Sequence, residues 1–145
     1  MLSNSAILAA LATGLFAGGA LHVTLSEQPA RLACGATAAV DQWRGSYRRA
    51  ALVQGPLAII AAIAGLASWW GGGGIGWLLT GIAMGAIVLY TIVVVGPTNH
   101  ALQDERLDTS SADALALVEH WGTLHAARTI VGLAAFALNL AMLAG

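Results

Sequence analysis

The sequence contains no lysine, one cysteine, three prolines and little charge of either sign. All six cations are arginines and the net charge is -1, so no basic arm is present that could hold nucleic acid by its phosphates. A single thiol, Cys34, cannot close an internal disulfide and leaves the redox compartment open. Charged residues make up 9% of the 145 positions and hydrophobic residues 58%. An average soluble domain is roughly a quarter charged and under half apolar. The composition therefore argues against a disordered chain or an ordinary soluble domain. It points to lipid as the surrounding solvent.

Four stretches are apolar enough to cross a bilayer core, which takes about 20 residues of helix. They cover about residues 6–26, 50–70, 75–96 and 121–144. The first lacks the positive n-region and small-residue cleavage site of a signal peptide and is read as a span. The expected fold is all-α: a four-transmembrane-helix bundle forming a single integral membrane domain, 1–145. An interfacial segment is expected between helices 1 and 2, broken at Gly45, and a cytoplasmic extension before helix 4. Ser110 and Asp113 have capping-box-like spacing for that extension, which runs into the last span with a bend at Gly122. Gly14 with Gly18, and Gly81 with Gly85, have the spacing that lets helix backbones approach closely. This is read mainly as packing within one bundle, with a homo-oligomer seam as the alternative.

Arg31, Arg44, Arg48 and Arg49 lie in one connection and Arg106 in the other long one. The positive-inside rule places both connections in the cytoplasm and both termini outside, in the inner or plasma membrane. Gly71-Gly72-Gly73-Gly74 is then an outer turn, flanked by Trp69, Trp70 and Trp77 as an aromatic belt. Trp43, Tyr47, Arg48 and Arg49 read as interfacial anchors.

Polar residues gather at one depth. At about 1.5 Å per residue, His22, Gln54, Tyr90 with Thr91, and Trp121 with His125 all fall near the inner end of their spans. Ionisable groups at such depth are costly and usually face a bundle interior or a wet cavity. Trp121, His125 and Arg128 are spaced i, i+4, i+7 and share one helical face. Arg128 keeps its proton and needs an anionic or carbonyl partner, with Glu27, Asp104, Glu119, Asn99 or a bound anion as candidates. His120 and His125 sit about 140° apart around a helix and do not chelate together. A metal site would have to join His125 to His22 from another helix, and no ligand-pair spacing supports it.

The ordered set Ser26-Glu27-Gln28-Pro29-Ala30-Arg31-Leu32, Ser46-Tyr47-Arg48-Arg49-Ala50, Gln54, Pro97-Thr98-Asn99 and Trp121-x-x-x-His125-x-x-Arg128-Thr129 resembles the anthrone oxygenase family. Its members are small four-helix membrane proteins, mostly without an assigned role. Those with a role oxidise polyketide anthrones to anthraquinones with O2. Glu27, Gln28, Arg31, Tyr47, Arg48, Gln54, Thr98, Asn99, Trp121, His125 and Arg128 match the family pattern, whereas His22 and His100 depart from it.

The resemblance implies an oxidoreductase acting on an apolar aromatic small molecule dissolved in the bilayer, a phenolic polycycle. His125 would be the base, Arg128 the anion partner, and Asn99 and Gln54 hydrogen-bond donors to oxygen. Tyr47 and Trp121 would wall the flat ring, and Glu27, Arg48 and Thr98 would complete the substrate site. O2 is the co-substrate, and the motifs leave open whether a cofactor takes part. One alternative is a haem or copper protein with His125 as a ligand. Another is a non-enzymatic binder or scaffold.

Overall fold

The computed structural model describes residues 3–145, and these form helices joined by short turns, with no strand among them. The elements assemble into four rods. The first joins α1 (Asn4–His22), a π-helical turn (Val23–Glu27) and α2 (Gln28–Ala33). The second is α3 (Ala36–Trp70). The third joins α4 (Ile75–Tyr90), a second π-helical turn (Thr91–Val95) and α5 (Gly96–Gln103). The fourth is α6 (Ala112–Ala144). All four rods are long and apolar enough to cross a membrane, so the chain is an integral membrane protein built as a four-helix bundle.

The rods begin and end where local chemistry requires it. The Ser3 hydroxyl accepts the Ala6 N–H and caps α1. Gly35, at φ 85°, turns the chain sharply between α2 and α3. Gly72, at φ 90°, does the same between α3 and α4. Both are backbone conformations that glycine adopts without a Cβ clash. Ser111 caps α6 by accepting the Ala114 N–H. That cap lies one residue beyond the expected Ser110, because Asp108 takes both the backbone N–H and the hydroxyl of Ser110.

Several expectations are corrected. Gly45 does not break the second helix, which runs unbroken for 35 residues. The segment expected to lie along the interface is the start of the second rod. Tertiary ties hold it there: Trp43 is fully buried, and Arg44 donates to the Leu102 and Asp104 carbonyls at 2.8 Å each. α6 likewise runs through Gly122 without a break. Gly122 makes room for Gln28, whose side chain would lie 2.5 Å from a Cβ at that position. Gln28 donates there to the Val118 carbonyl and fastens α2 to α6. Trp77 leaves the aromatic belt and packs inward against Ala6, Ala9 and Ala64, while Trp70 stays exposed. The same burial moves Trp43 from anchor to core.

The three prolines all lie inside rods, in the arginine-rich half of the bundle. Proline cannot donate to the carbonyl four residues back, and its ring crowds that carbonyl. Ahead of Pro29 and Pro97 the helix widens into π-turns, with Gln28 N–H reaching back five residues to the Val23 carbonyl. Such widened turns occur often at functional sites. Pro56 sits within α3 itself.

With lipid as solvent, close packing of small residues holds helices together more than apolar transfer does. At the glycine-turn end, α3 and α4 meet backbone to backbone: a Cβ on Gly65 would lie 3.0 Å from Gly81 Cα. A Cβ on Gly14 would strike Phe136 of α6 at 2.7 Å. These contacts give both glycines a role within the bundle. Towards the other end, Pro56 and the Thr91–Val95 turn interrupt the regular α3 and α4 ladders. There the two helices line a cavity.

Candidate functional site

A cavity of about 800 Å³ occupies the arginine-rich half of the bundle. The first rod contributes Val23, Glu27 and Arg31, α6 contributes Trp121, His125 and Arg128, and α3, α4 and the second π-helical turn supply the rest of its walls. Of the residues singled out from the sequence, Glu27, Tyr47, Gln54, Trp121, His125 and Arg128 are brought together here. Arg48, Thr98, Asn99 and His22 are not on the wall.

His125 is buried, and its ring packs against that of Trp121 with centroids 4.8 Å apart. Its Nδ1 lies 3.2 Å from the Thr24 hydroxyl. Thr24 in turn lies 2.8 Å from the Thr129 hydroxyl and donates to the Ala20 carbonyl at 3.0 Å. Thr129 also reaches the Ala20 carbonyl at 3.2 Å and the His125 carbonyl at 3.3 Å. Two arrangements of protons satisfy the cluster: Thr24 accepts Nδ1–H and donates to Ala20, which leaves the lone pair on Nε2, or Thr24 donates to Nδ1 while Thr129 donates to Ala20.

Arg128 lies on the same face, three residues on. Its Nη2 donates to Gln54 Oε1 at 3.2 Å, and its guanidinium carbon sits 5.6 Å from the centre of the Phe16 ring. Its Nε is buried without a hydrogen-bond partner among the described residues. Arg128 thus points into the bundle, as expected, but its partner is an amide.

The expected carboxylate, Glu27, is committed elsewhere. Its Oε2 accepts from Arg31 at 2.8 Å, an i,i+4 pair on one face of the helix, and His22 approaches Oε1 at 3.8 Å. The Arg31 side chain is 1% exposed and also donates to Ser46. Its guanidinium lies 5.5 Å from the centre of the Trp121 ring, and Nε and Nη1 have no partner among the described residues. The wall therefore carries two inward-facing guanidiniums, Arg31 and Arg128, and one carboxylate, with Arg49 at the rim.

Asn99 works beside the cavity. Its Oδ1 accepts the Trp121 indole N–H at 2.9 Å, and its Nδ2 donates to the Tyr47 hydroxyl at 3.2 Å. Tyr47 stacks on Trp43 at 4.7 Å, and Trp43 meets Trp121 edge-on at 5.8 Å. Asn99 is thus engaged in holding the aromatic wall. Thr98 is buried behind that wall, and Arg48 is exposed outside it. The His22 side chain is 65% exposed, so the His22–His125 pair considered for a metal is not assembled. Among the described residues, no group of three or more His, Cys, Asp or Glu side chains could hold a metal ion.

Arg31 entered the sequence reading as one of the orienting arginines and as a match to the family pattern, although its i,i+4 spacing to Glu27 signals the pair. Thr24 was overlooked, and its signal was a hydroxyl inside an apolar span one helical turn before Gln28.

The sequence model of a family described as Anthrone oxygenase matches residues 43–138. No curated protein and no solved structure matches the chain. The family match takes in most of α3, the third rod and most of α6, and with them Tyr47, Gln54, Asn99, Trp121, His125 and Arg128.

Proposed function

Since the chain belongs to the anthrone oxygenase family, we propose that it oxidises a flat, phenolic, bilayer-dissolved substrate to a quinone with O2. The observation that carries this reading is the pairing of His125 and Arg128 on one cavity wall, with Nδ1 of His125 occupied by Thr24. With the imidazole proton on Nδ1, the remaining nitrogen, Nε2, is the base, and the guanidinium one turn away is the anion partner.

The chemistry follows from the substrate class. The central methylene of an anthrone is acidic because its carbanion is delocalised as a phenolate-like anion. His125 Nε2 takes one methylene proton, a step in which a positioned base contributes typically 10²–10⁴-fold. Arg128 stabilises the charge that develops on the ring oxygens. The anion gives one electron to O2, and the resulting radical and superoxide combine into a carbon-bound peroxide. The peroxide takes back a proton from His125. Loss of the second methylene hydrogen with hydroxide then releases water and leaves the new carbonyl. One methylene and one O2 thus become one carbonyl and one water.

The aromatic wall of Trp121 and Tyr47 suits a flat ring, and Gln54 holds Arg128 in place. We assign the arginine-rich end, and with it the site, to the cytoplasmic side from the arginine distribution. Oxidation of 1,8-dihydroxyanthrone by purified protein under 18O2 tests the reading. One labelled oxygen should enter the new quinone carbonyl, at a rate above the protein-free background. A rate equal to background would remove the assignment.

A further inference from the structure

The residues that line the cavity are exposed at two levels. Along α3 its wall extends from Gln42 to Ile59, about 25 Å at the helical rise. One end, at Gln42, Gly45 and Arg49, lies where the rods leave the apolar core. The other level lies deeper, between α3 and the third rod, where Ala51, Gly55 and Ile59 on α3, Val88 on α4 and Ile92 on the second π-helical turn line the cavity. Ile59 and Ile92 are 47% and 66% exposed within helices long enough to span the membrane, so this side opening faces lipid.

Gly55 stands on that edge for no packing reason. A Cβ added there would meet nothing within 4 Å, unlike Gly65 and Gly81, which hold α3 and α4 together. Glycine inside a helix is disfavoured relative to alanine. One backbone reason remains: Gly55 precedes Pro56, whose ring crowds the Cβ of the residue before it. Any side chain at position 55 would carry that cost, but only a large one would fill the opening.

We propose that Gly55 keeps open a side portal between α3 and α4, through which a flat, lipid-dissolved aromatic molecule enters the cavity from the bilayer. The portal rests on the proposed reading of the cavity as a substrate site, and extends it to a route and a residue that limits substrate bulk. The polar end of the guest faces inward, where Arg31 carries two nitrogens without hydrogen-bond partners and Arg128 one. An apolar guest arriving along α3 meets small residues first and the guanidiniums last. That order suits a molecule drawn from lipid and retained by an acidic oxygen.

The test uses full-length protein in nanodiscs and the product-like probe 1,8-dihydroxyanthraquinone, with binding followed by quenching of tryptophan fluorescence after rapid mixing with probe-loaded vesicles. Gly55→Leu should slow association at least tenfold, while Gly55→Ala, with the same pre-proline cost and little bulk, should stay within threefold of wild type. Ala51→Leu, one turn away on the same edge, should act as Gly55→Leu does and serves if that variant fails to fold. Gly18→Leu adds the same bulk on an exposed face of α1, away from the cavity, and should leave association unchanged. Gly45→Leu narrows the other opening and should change the rate less than twofold.

Slow association in Gly45→Leu with a normal rate in Gly55→Leu would overturn the portal in favour of access from the headgroup end. An equal loss in Gly55→Ala and Gly55→Leu would overturn it in favour of a backbone effect. Because binding needs no turnover, a portal effect without quinone formation would contradict the oxygenase reading and leave the portal standing.

Discussion

Trp121 donates its indole N–H to Asn99 Oδ1 at 2.9 Å, and the same amide donates to the Tyr47 hydroxyl. One side chain from α5 thereby ties α6 to α3 at the level of the cavity and sets two aromatic walls at once.

Asn99→Ala should therefore loosen the wall without removing a reacting group. Losing these buried bonds should destabilise the protein by about 1–3 kcal/mol, read as a lower melting temperature in detergent. KM should rise more than kcat falls. Asn99→Asp keeps the acceptor for Trp121 and should retain more affinity than the alanine variant.

Arg128→Lys should cost more activity than folding. Lysine keeps the charge but loses the planar fork that binds Gln54 and, in the proposed mechanism, a substrate oxygen. Yield and melting temperature should stay near wild type while kcat/KM falls at least tenfold. Equal losses in yield and activity would mark Arg128 as a structural cation.

Thr24→Val is nearly isosteric and removes the hydroxyl that meets His125 Nδ1. The ring can then carry its proton on either nitrogen, and the fraction with a free Nε2 falls. The expected result is a drop in kcat of about tenfold or more, against the 10²–10⁴-fold that a positioned base contributes, with little change in KM. Thr24→Ser should restore most of the rate.

The spans were legible because lipid demands long apolar helices, and no partner residue is needed to see one. Counting residues also placed Gln54, Trp121 and His125 at one level, and all three line the cavity. Direction around the helix was not legible. Glu27 read as the nearest carboxylate to Arg128, yet the Arg128 guanidinium lies over Phe16, eleven residues before Glu27 on the first rod, and turns to Gln54, while Glu27 turns to Arg31. Thr24 and His125 meet across 101 positions of sequence, a contact that only packing creates. Trp43 read as an anchor because its burial depends on Tyr47 and Trp121, which no local pattern around residue 43 announces. The unbroken α3 is a similar case, with Arg44 bound to carbonyls of another rod carrying the helix through Gly45.

Orientation is tested by single cysteines in a variant lacking Cys34. With the arginine-rich connections inside, a cysteine at Gly72 should react with an impermeant thiol reagent added to intact cells, and one at Ser110 should react only after lysis. The reverse pattern would invert the topology and place the cavity at the outer face.

The central claim is that His125 is the base of an O2-consuming oxidation, and His125→Ala tests it most directly. Oxygen uptake and quinone formation should be measured together with 1,8-dihydroxyanthrone, on wild-type and His125→Ala protein matched for melting temperature. The account predicts one O2 consumed per quinone in the wild type and at least a hundredfold lower rate in the variant, in line with the contribution of a positioned base. A folded His125→Ala protein that makes quinone at the wild-type rate would contradict it.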